Sequence, residues 1–277
     1  MSIKNKLDQY YTNPDYAKYC FDKSEQVISE KMDLNSLFYL EPCVGTGSFY
    51  TLFPESRKFG FDIEPVYVDA NVTKADFLEE MFINQKCPGS DMIVISNPPF
   101  GRLSSLAVKF FNKCANIKEV KYISFIVPLT FRKVATQNKL HENFHLIYDE
   151  VSPHDAFILH GEPHNVPCVL QIWERRDDEV REKHEIRNTS KFFTYCTKDE
   201  ADLYIKRVGT KAGEIAEPGT EHKDANMYYI KTEHKDKIHS IMNSNEYLDD
   251  IKVIRKTTAG VYCVSKSELV INIEKYW

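Results

Sequence analysis

The sequence contains no apolar run approaching the roughly eighteen residues that a membrane span requires, no Cys-x-x-Cys pair among its seven cysteines, and no excess of basic residues. The first absence excludes a membrane helix. Together with an N-terminal stretch, MSIKNKLDQYY, that lacks the apolar segment of a signal peptide, it predicts a cytoplasmic protein with no membrane partner. The second absence, with an odd cysteine count, argues against a disulfide framework and against a thiolate zinc site, so the thiols are expected to be reduced and mostly buried. As for charge, the formal net value is −5, with 19 Lys+Arg against 23 Asp+Glu in residues 1–177 and 17 against 18 in residues 178–277. Any contact with a polyanion must therefore come from a local patch. The 277 residues, 42% hydrophobic and 28% charged, suit a soluble globular protein with either one large α/β domain and an appendage or two modest domains.

The most informative stretch is Asp91 to Phe100, DMIVISNPPF. Met92 to Ile95 form a β-branched, non-alternating run, the pattern of a strand buried on both faces of a parallel sheet. Pro98 and Pro99 end it. Each fixes its own φ, and each restricts the residue before it to extended conformations, so Asn97 is held at the carboxyl end of the strand. Open α/β sheets bind their ligands at that end. A side-chain amide, a Pro98 carbonyl and the Phe100 ring are presented there on a stiff backbone.

Three further stretches precede it. Leu37 to Glu41 reads as a short strand running into Pro42-Cys43-Val44-Gly45-Thr46-Gly47-Ser48-Phe49, and two glycines at a strand-to-helix turn let a backbone approach a ligand closely. The turn lacks the third glycine of a dinucleotide fingerprint, with Tyr50 at that position, and the Lys-Ser/Thr of a P-loop, so neither NAD nor ATP is the natural ligand. Phe59 to Asp62 reads as a second strand ending in an acid, placed to accept from a ribose diol or else simply solvated. Asp76-Phe77 could hold an adenine by its edge and face, while Asp76 serves equally as the cap of a following helix. At the N-terminus, Gln9-Tyr10-Tyr11-Thr12 precedes a helix capped by Asn13 with Pro14 at its first position. Tyr10 and Tyr11 could equally form an aromatic lid over the core.

After residue 100, SSLAVKFFNKCANI is expected to be a helix whose stripe of Leu106, Phe110, Phe111 and Cys114 faces the core. Strands follow at Tyr122–Phe131, FHLIYDEV and VPCVLQIWE. Alternating strands and helices to residue 130, then closely spaced strands, predict an α/β fold with a doubly wound, mostly parallel sheet and an antiparallel edge strand. Between the last strands lie His154, His160, His164 and Cys168. Their Pro/Gly-rich context argues for a loop carrying Phe157 near a substrate mouth, with no metal. The charged run 175–190 marks a boundary between a domain at 1–177 and a small C-terminal module at 178–277.

Taken in order, Gln9-Tyr10-Tyr11-Thr12, Glu41-Pro-Cys-Val-Gly-Thr-Gly-Ser-Phe49, Phe61-Asp62, Asp76-Phe77 and Asn97-Pro-Pro-Phe100 resemble the N6-adenine class of S-adenosylmethionine-dependent amino methyltransferases, over roughly residues 9 to 175. The resemblance implies a Rossmann-like class I methyltransferase fold, S-adenosylmethionine as cofactor, and nucleic acid as partner, DNA ahead of RNA. It implies that Asn97, Pro98, Pro99 and Phe100 form the catalytic clamp. Gly45 and Gly47 would pass close to the methionine part of the cofactor, alongside Glu41. Asp62 would hold the ribose, Asp76 and Phe77 the adenine, and Tyr10, Tyr11 and Thr12 would close over the amino-acid end. Asn13 stands where the family often has proline, and the C-terminal module matches no recognition domain.

The expected reaction is methyl transfer to the N6 amine of adenine in DNA. The same chemistry on an RNA adenine or guanine, or on a protein glutamine, is the alternative, and a catalytically silent nucleic-acid-binding subunit is the alternative outside enzymes. Arg132-Lys133, Arg175-Arg176, Lys206-Arg207 and Arg255-Lys256 are candidate phosphate contacts, although paired basic residues are usually solvated surface.

Overall fold

The structure is a computed structural model, and it describes residues 11–81, 83–87, 89–159, 161–216, 223–258 and 261–277. The chain divides into two compact units, Met1–Phe131 with Thr136–Lys183, and Arg132–Ala135 with His184–Trp277.

In the first unit, strand β1 (Tyr11–Thr12) leads into helix α1 (Pro14–Ser29). The Asn13 side chain accepts from the Asp15 amide at 3.0 Å and Pro14 occupies the first turn, so the helix starts where its orphan N–H groups are least costly. Five strands then run parallel or follow in parallel register: β2 (Phe38–Glu41), β3 (Lys58–Asp62), β4 (Val72–Lys74), β5 (Met92–Ser96) and, after helix α2 (Ser105–Ala115), β6 (Val120–Pro128). A one-turn helix α3 (Val134–Gln137) precedes β7 (Phe144–Val151). The hairpin β8 (Phe157–Leu159) and β9 (Glu162–His164) then leads to β10 (Cys168–Arg175).

The main sheet has seven strands in the order β4-β3-β2-β5-β6-β10-β7. This is a Rossmann-like arrangement. The antiparallel strand β10 sits one place in from the edge and pairs with both β6 and β7.

Strand β5 shows why the sheet is covered on both faces. All five of its residues are buried, and because side chains alternate, Met92 and Val94 enter one core while Ile93 and Ile95 enter the other. Helix α2 packs on the first core through Ala107, Phe110, Phe111 and Cys114, at helical spacing. Helix α1 packs on the second through Ala17, Cys20, Phe21 and Ile28. Where α1 meets β6, the Ser24 and Ser124 hydroxyls bond at 2.7 Å and Ser24 also donates to the Cys20 carbonyl, so the buried polar pair is satisfied.

Three sequence expectations differ from the structure. The glycine turn leads into only one turn of 3-10 helix, Tyr50–Leu52, and Asp76-Phe77 leads into a single turn in which the Glu79 and Glu80 amides bond to the Asp76 carbonyl. Neither segment has the apolar period that would bury a full helix against the sheet. The stretch expected as a loop around residue 157 is instead the β8–β9 hairpin, and it joins β1 in a separate three-stranded sheet.

The second unit has its own core. An antiparallel sheet of β11 (Thr194–Tyr195), β12 (Leu203–Lys206) and β13 (Met227–Lys231), with β13 central, packs with α4 (Lys235–Met242), α5 (Asn245–Arg255) and α6 (Lys266–Lys275). Ile205, Ile230, Ile238, Tyr247, Ile251, Leu269 and Ile273 are fully buried there, and the Tyr247 hydroxyl donates to the Gly213 carbonyl at 2.7 Å.

Phe111 lies at the centre of the first unit, edge-on to Phe125, Phe144 and Trp173 with centroid separations of 6.3, 5.7 and 5.4 Å. Truncation to alanine should cost about 3–5 kcal/mol, with Phe111→Leu costing less than half of that. Urea unfolding followed by Trp173 fluorescence in a Trp277→Phe background measures this directly. Equal losses for Ala and Leu would show that the site collapses around the cavity.

Candidate active site

The chain runs from β2 outward to β3 and β4, then returns to place β5 on the other side of β2. That reversal is the topological switch point of the sheet, and it opens a crevice beyond the carboxyl ends of β2 and β5. The glycine turn follows one of these strands and Asn-Pro-Pro-Phe follows the other.

In the turn, Gly45 and Gly47 have φ of +53° and +84°, a region that L-residues avoid. A Cβ on Gly47 would lie 2.8 Å from the Tyr67 ring, so the second glycine makes room for Tyr67, and it is not among the residues that line the crevice. Gly45 lines the crevice, whereas Gly47 packs against Tyr67. Asp62, at the end of β3, accepts from the Gly45 amide through Oδ2 at 2.7 Å and from the Glu64 amide through Oδ1 at 2.8 Å. It pins the glycine turn to its own strand, and each of its oxygens keeps one lone pair for another donor.

The loop after β5 is tied to the same turn. The Cys43 thiol and the Ser96 hydroxyl are 3.0 Å apart, and Cys43 also donates to the Asn97 carbonyl at 3.5 Å. Burial pushes the Cys43 thiol well above its usual range, opposed in part by the Ser96 bond, so it stays a neutral thiol. Phe100 lies edge-on to Phe157, 6.3 Å between centroids. Phe157 is therefore not the loop residue at a substrate mouth that its sequence context suggested. It is fully buried in β8, paired with Thr12, and acts as backing for Phe100. The same hairpin holds Tyr11 and Thr12 over the glycine turn, where the Ser48 hydroxyl donates to the Thr12 carbonyl at 3.1 Å.

These segments enclose a cavity of about 360 Å³, within the size range of small-ligand sites. Tyr11, Thr12, Glu41, Gly45, Asp62, Asp76, Phe77 and the whole of Asn97 to Phe100 line it. Tyr10 lies outside the described residues. Asp76 is exposed, with Oδ1 accepting from the Leu78 amide, whereas Phe77 is buried and stacks on Phe110 at 5.7 Å. Sequence reasoning missed Ile63, Val66, Leu78, Leu106 and Phe110, which supply apolar wall. Leu106 and Phe110 carry the periodicity of a core stripe, and nothing in that periodicity separates a residue facing the core from one facing a cavity at its margin.

Glu41 is the exceptional charge. Its side chain is buried in the cavity wall, and its Oε2 has no hydrogen-bond partner among the described residues. Desolvation holds its carboxyl well above the usual carboxylate range, the nearby Asp62 adds to this, and the Tyr50 backbone N–H opposes it.

The basic pairs proposed for phosphate contact are mostly committed elsewhere. Arg175 is bonded to the carbonyls of Val120, Ala115 and Ile117, and Arg176 is held by Glu174 and Glu179. In the second unit, Lys133 donates to both oxygens of Glu268 and to the carbonyls of Ile254 and Cys263. Arg207 donates to the Ala225 carbonyl, and Arg255 pairs with Glu214 at 2.6 Å. These cations are held by carbonyls and carboxylates within the protein, which spacing along the chain does not reveal. Arg132 stands half-buried beside Lys133 at the start of the second unit.

Residues 57–187 match the family model of the EDM2 methyltransferase-like domain. The curated protein ENHANCED DOWNY MILDEW 2 of Arabidopsis thaliana is 26% identical over 59% of this chain, and the chain spans 13% of that protein's length. Among solved structures, a protein from Pyrococcus horikoshii described as a candidate RNA methyltransferase overlays with a TM-score of 0.46 at 16% identity, covering 63% of this chain and 93% of its own. The methyltransferase subunit of a type I restriction-modification system from Streptococcus thermophilus overlays with a TM-score of 0.40 at 16% identity, covering 97% of this chain and 57% of its own. The family-model match runs from β3 through β10, so it takes in Asn97 to Phe100 and leaves out the glycine turn.

Two outcomes follow from the charges. The folded protein holds the Glu41 proton more tightly than the unfolded chain does, so the parent loses stability as pH rises from the unfolded-chain range toward the folded pKa. Glu41→Gln has no proton to lose there. Its Tm advantage over the parent should be absent at about pH 4 and should grow as pH rises above about 4.5. A constant offset across pH would mean that Glu41 is charged in the folded state. Lys133→Met leaves the Glu268 carboxylate without its cation, and should cost the second unit about 2 kcal/mol, seen as roughly thirty-fold faster amide exchange in α6. Unchanged exchange would return Lys133 to the pool of surface cations.

Proposed function

We propose that this chain is an S-adenosylmethionine-dependent methyltransferase acting on the N6 amine of adenine in DNA. The observation that carries this reading is the convergence of Asn97-Pro98-Pro99-Phe100, Gly45, Asp62 and Asp76-Phe77 on one cavity at the switch point of the sheet.

The lining fits that cofactor. The free lone pairs of Asp62 suit a ribose diol, and the exposed Asp76 carboxylate beside the Phe77 ring suits the edge and face of an adenine. The Glu41 Oε2, buried in the same lining as Tyr11 and Thr12 and without a partner among the described residues, suits the ammonium of the amino-acid end, whose charge favours the carboxylate form. When bound, S-adenosylmethionine supplies a methyl carbon made electrophilic by its sulfonium.

The protein's work is then done on the amine. The lone pair of an exocyclic amine is delocalised into its ring, which makes the nitrogen a poor nucleophile. The Asn97 side-chain carbonyl and the Pro98 backbone carbonyl accept from its two N–H groups, draw the nitrogen out of planarity and aim its lone pair, with no covalent intermediate on the enzyme. The proline pair keeps these acceptors in place. Phe100, braced by Phe157, stacks on the base, and stacking of about 1–3 kcal/mol offsets much of the few kcal/mol needed to extract a base from a duplex. The second unit, with its separate core, is assigned to reading the nucleic acid around the target.

Nucleoside mass spectrometry after incubation with labelled cofactor and adenine-containing DNA or RNA tests the assignment. N6-methyladenine should appear in DNA, and Asn97→Ala should lower kcat by about 10²–10³ at a temperature where both proteins are folded. Label confined to RNA would move the substrate assignment. The absence of label from both, or full activity of Asn97→Ala, would remove the reading.

A further inference from the structure

The loop that leaves the Asn-Pro-Pro-Phe clamp is closed at both ends and strained at its tip. The amides of Leu106 and Ala107 both bond to the Phe100 carbonyl, at 3.1 and 3.3 Å, and the Ser104 amide bonds to the Gly101 carbonyl at 3.2 Å. Ser104 is buried, and its hydroxyl is 2.5 Å from that of Thr130. Gly101 has φ of +67°, and a Cβ there would lie 2.7 Å from Leu106, so the loop can start only from glycine. Leu103 and Ser104 follow with φ of 53° and 61°, two consecutive L-residues in the left-handed region and the only non-glycine residues with positive φ among those described.

The strain has one visible effect. It holds Leu103 out of the protein, 83% exposed, although the cavity wall formed by Phe100 and Leu106 lies three residues away on either side. A lone exposed leucine on a surface is ordinary. One held outward by strained backbone, in the short loop between two cavity-wall residues, is not, because such strain persists only where the surrounding structure imposes it, and it concentrates at functional sites. The neighbouring Arg102 is exposed as well, so the tip pairs a cation with an apolar knob.

Building on the nucleic-acid reading above, we infer that Leu103 is a wedge. When the target base leaves a base-paired strand for the cavity, the Leu103 side chain enters the stack at the vacated step, and Arg102 meets the adjoining backbone phosphate. Apolar side chains of this size insert between base steps in other duplex-deforming proteins, and the surface that Leu103 exposes to water is covered once it is inserted. No covalent change is involved. The shared chemistry is a stacked, base-paired strand, and DNA and RNA duplexes are separate arms of the test.

The experiment compares initial rates of methyl transfer to native and heat-denatured polymer, with mixed-sequence duplex DNA in one arm and base-paired RNA in the other. Leu103→Ala should lower the native-to-denatured rate ratio about ten-fold in the arm that is the substrate, while Leu103→Met, which keeps a wedge, should hold it within about two-fold of the parent. A Leu103→Ala ratio equal to that of the parent, whether or not both rates fall together, overturns the wedge and leaves the methyltransferase reading standing. So does a parent protein that acts on denatured polymer alone. A parent that transfers no methyl to either polymer overturns the methyltransferase reading, and the wedge falls with it.

Discussion

The architecture depends on the parallel pairing of β2 with β5. In sequence these strands are separated by β3 and β4, yet they lie side by side, with Leu40 opposite Val94. Because both run the same way and the chain departs from them in opposite directions across the sheet, their carboxyl ends open a crevice that no crossover can fill. The segments that line that opening are tied to one another. Asp62 reaches back to pin the glycine turn, Cys43 links it to Ser96 and Asn97, and the β1–β8–β9 sheet supports both Tyr11 and Phe100.

The two faces of the sheet do different work for this site. On one face, α2 packs Phe110, Phe111 and Cys114 into the core, while Leu106 and Phe110 at its first turns also form cavity wall. On the other face, α1 and the hairpin around Phe157 seal the underside of the clamp. A buried aromatic network runs from Phe61 through Phe77 to Phe110, so the floor of the cavity is continuous with the core and its shape is as rigid as the core's packing. Three of the acids in its lining stand in distinct conditions. Asp62 is bonded to backbone, Asp76 is open to solvent, and Glu41 is buried and held toward neutrality. One cavity therefore offers several hydrogen-bonding groups within a mainly apolar wall.

Much of this was legible because the signals are local. The β-branched run at 92–95, the proline pair, the glycine turn and the capped helix at 14–29 each report a backbone requirement of their own residues. The misreadings have a common cause. The hairpin at 157–164 carries loop-like residues such as Pro163 and Gly161, but it is ordered by pairing with Tyr11 and Thr12, about 145 residues away. The basic pairs at 132, 175 and 255 look like surface phosphate ligands, yet distant carbonyls and carboxylates claim most of their charged groups.

By itself the sequence determined the α/β class, the strand that ends in Asn97 and the residue types offered at each strand end, because these follow from side-chain periodicity and from the fixed φ of proline and the permissive φ of glycine. Only the tertiary structure decided which of those residues share a cavity. It turned Gly47 toward Tyr67, buried Phe157 behind Phe100, left Glu41 Oε2 without a partner among the described residues and held Leu103 outward. Those outcomes depend on contacts between segments distant in sequence, and no local pattern encodes the packing that sets them.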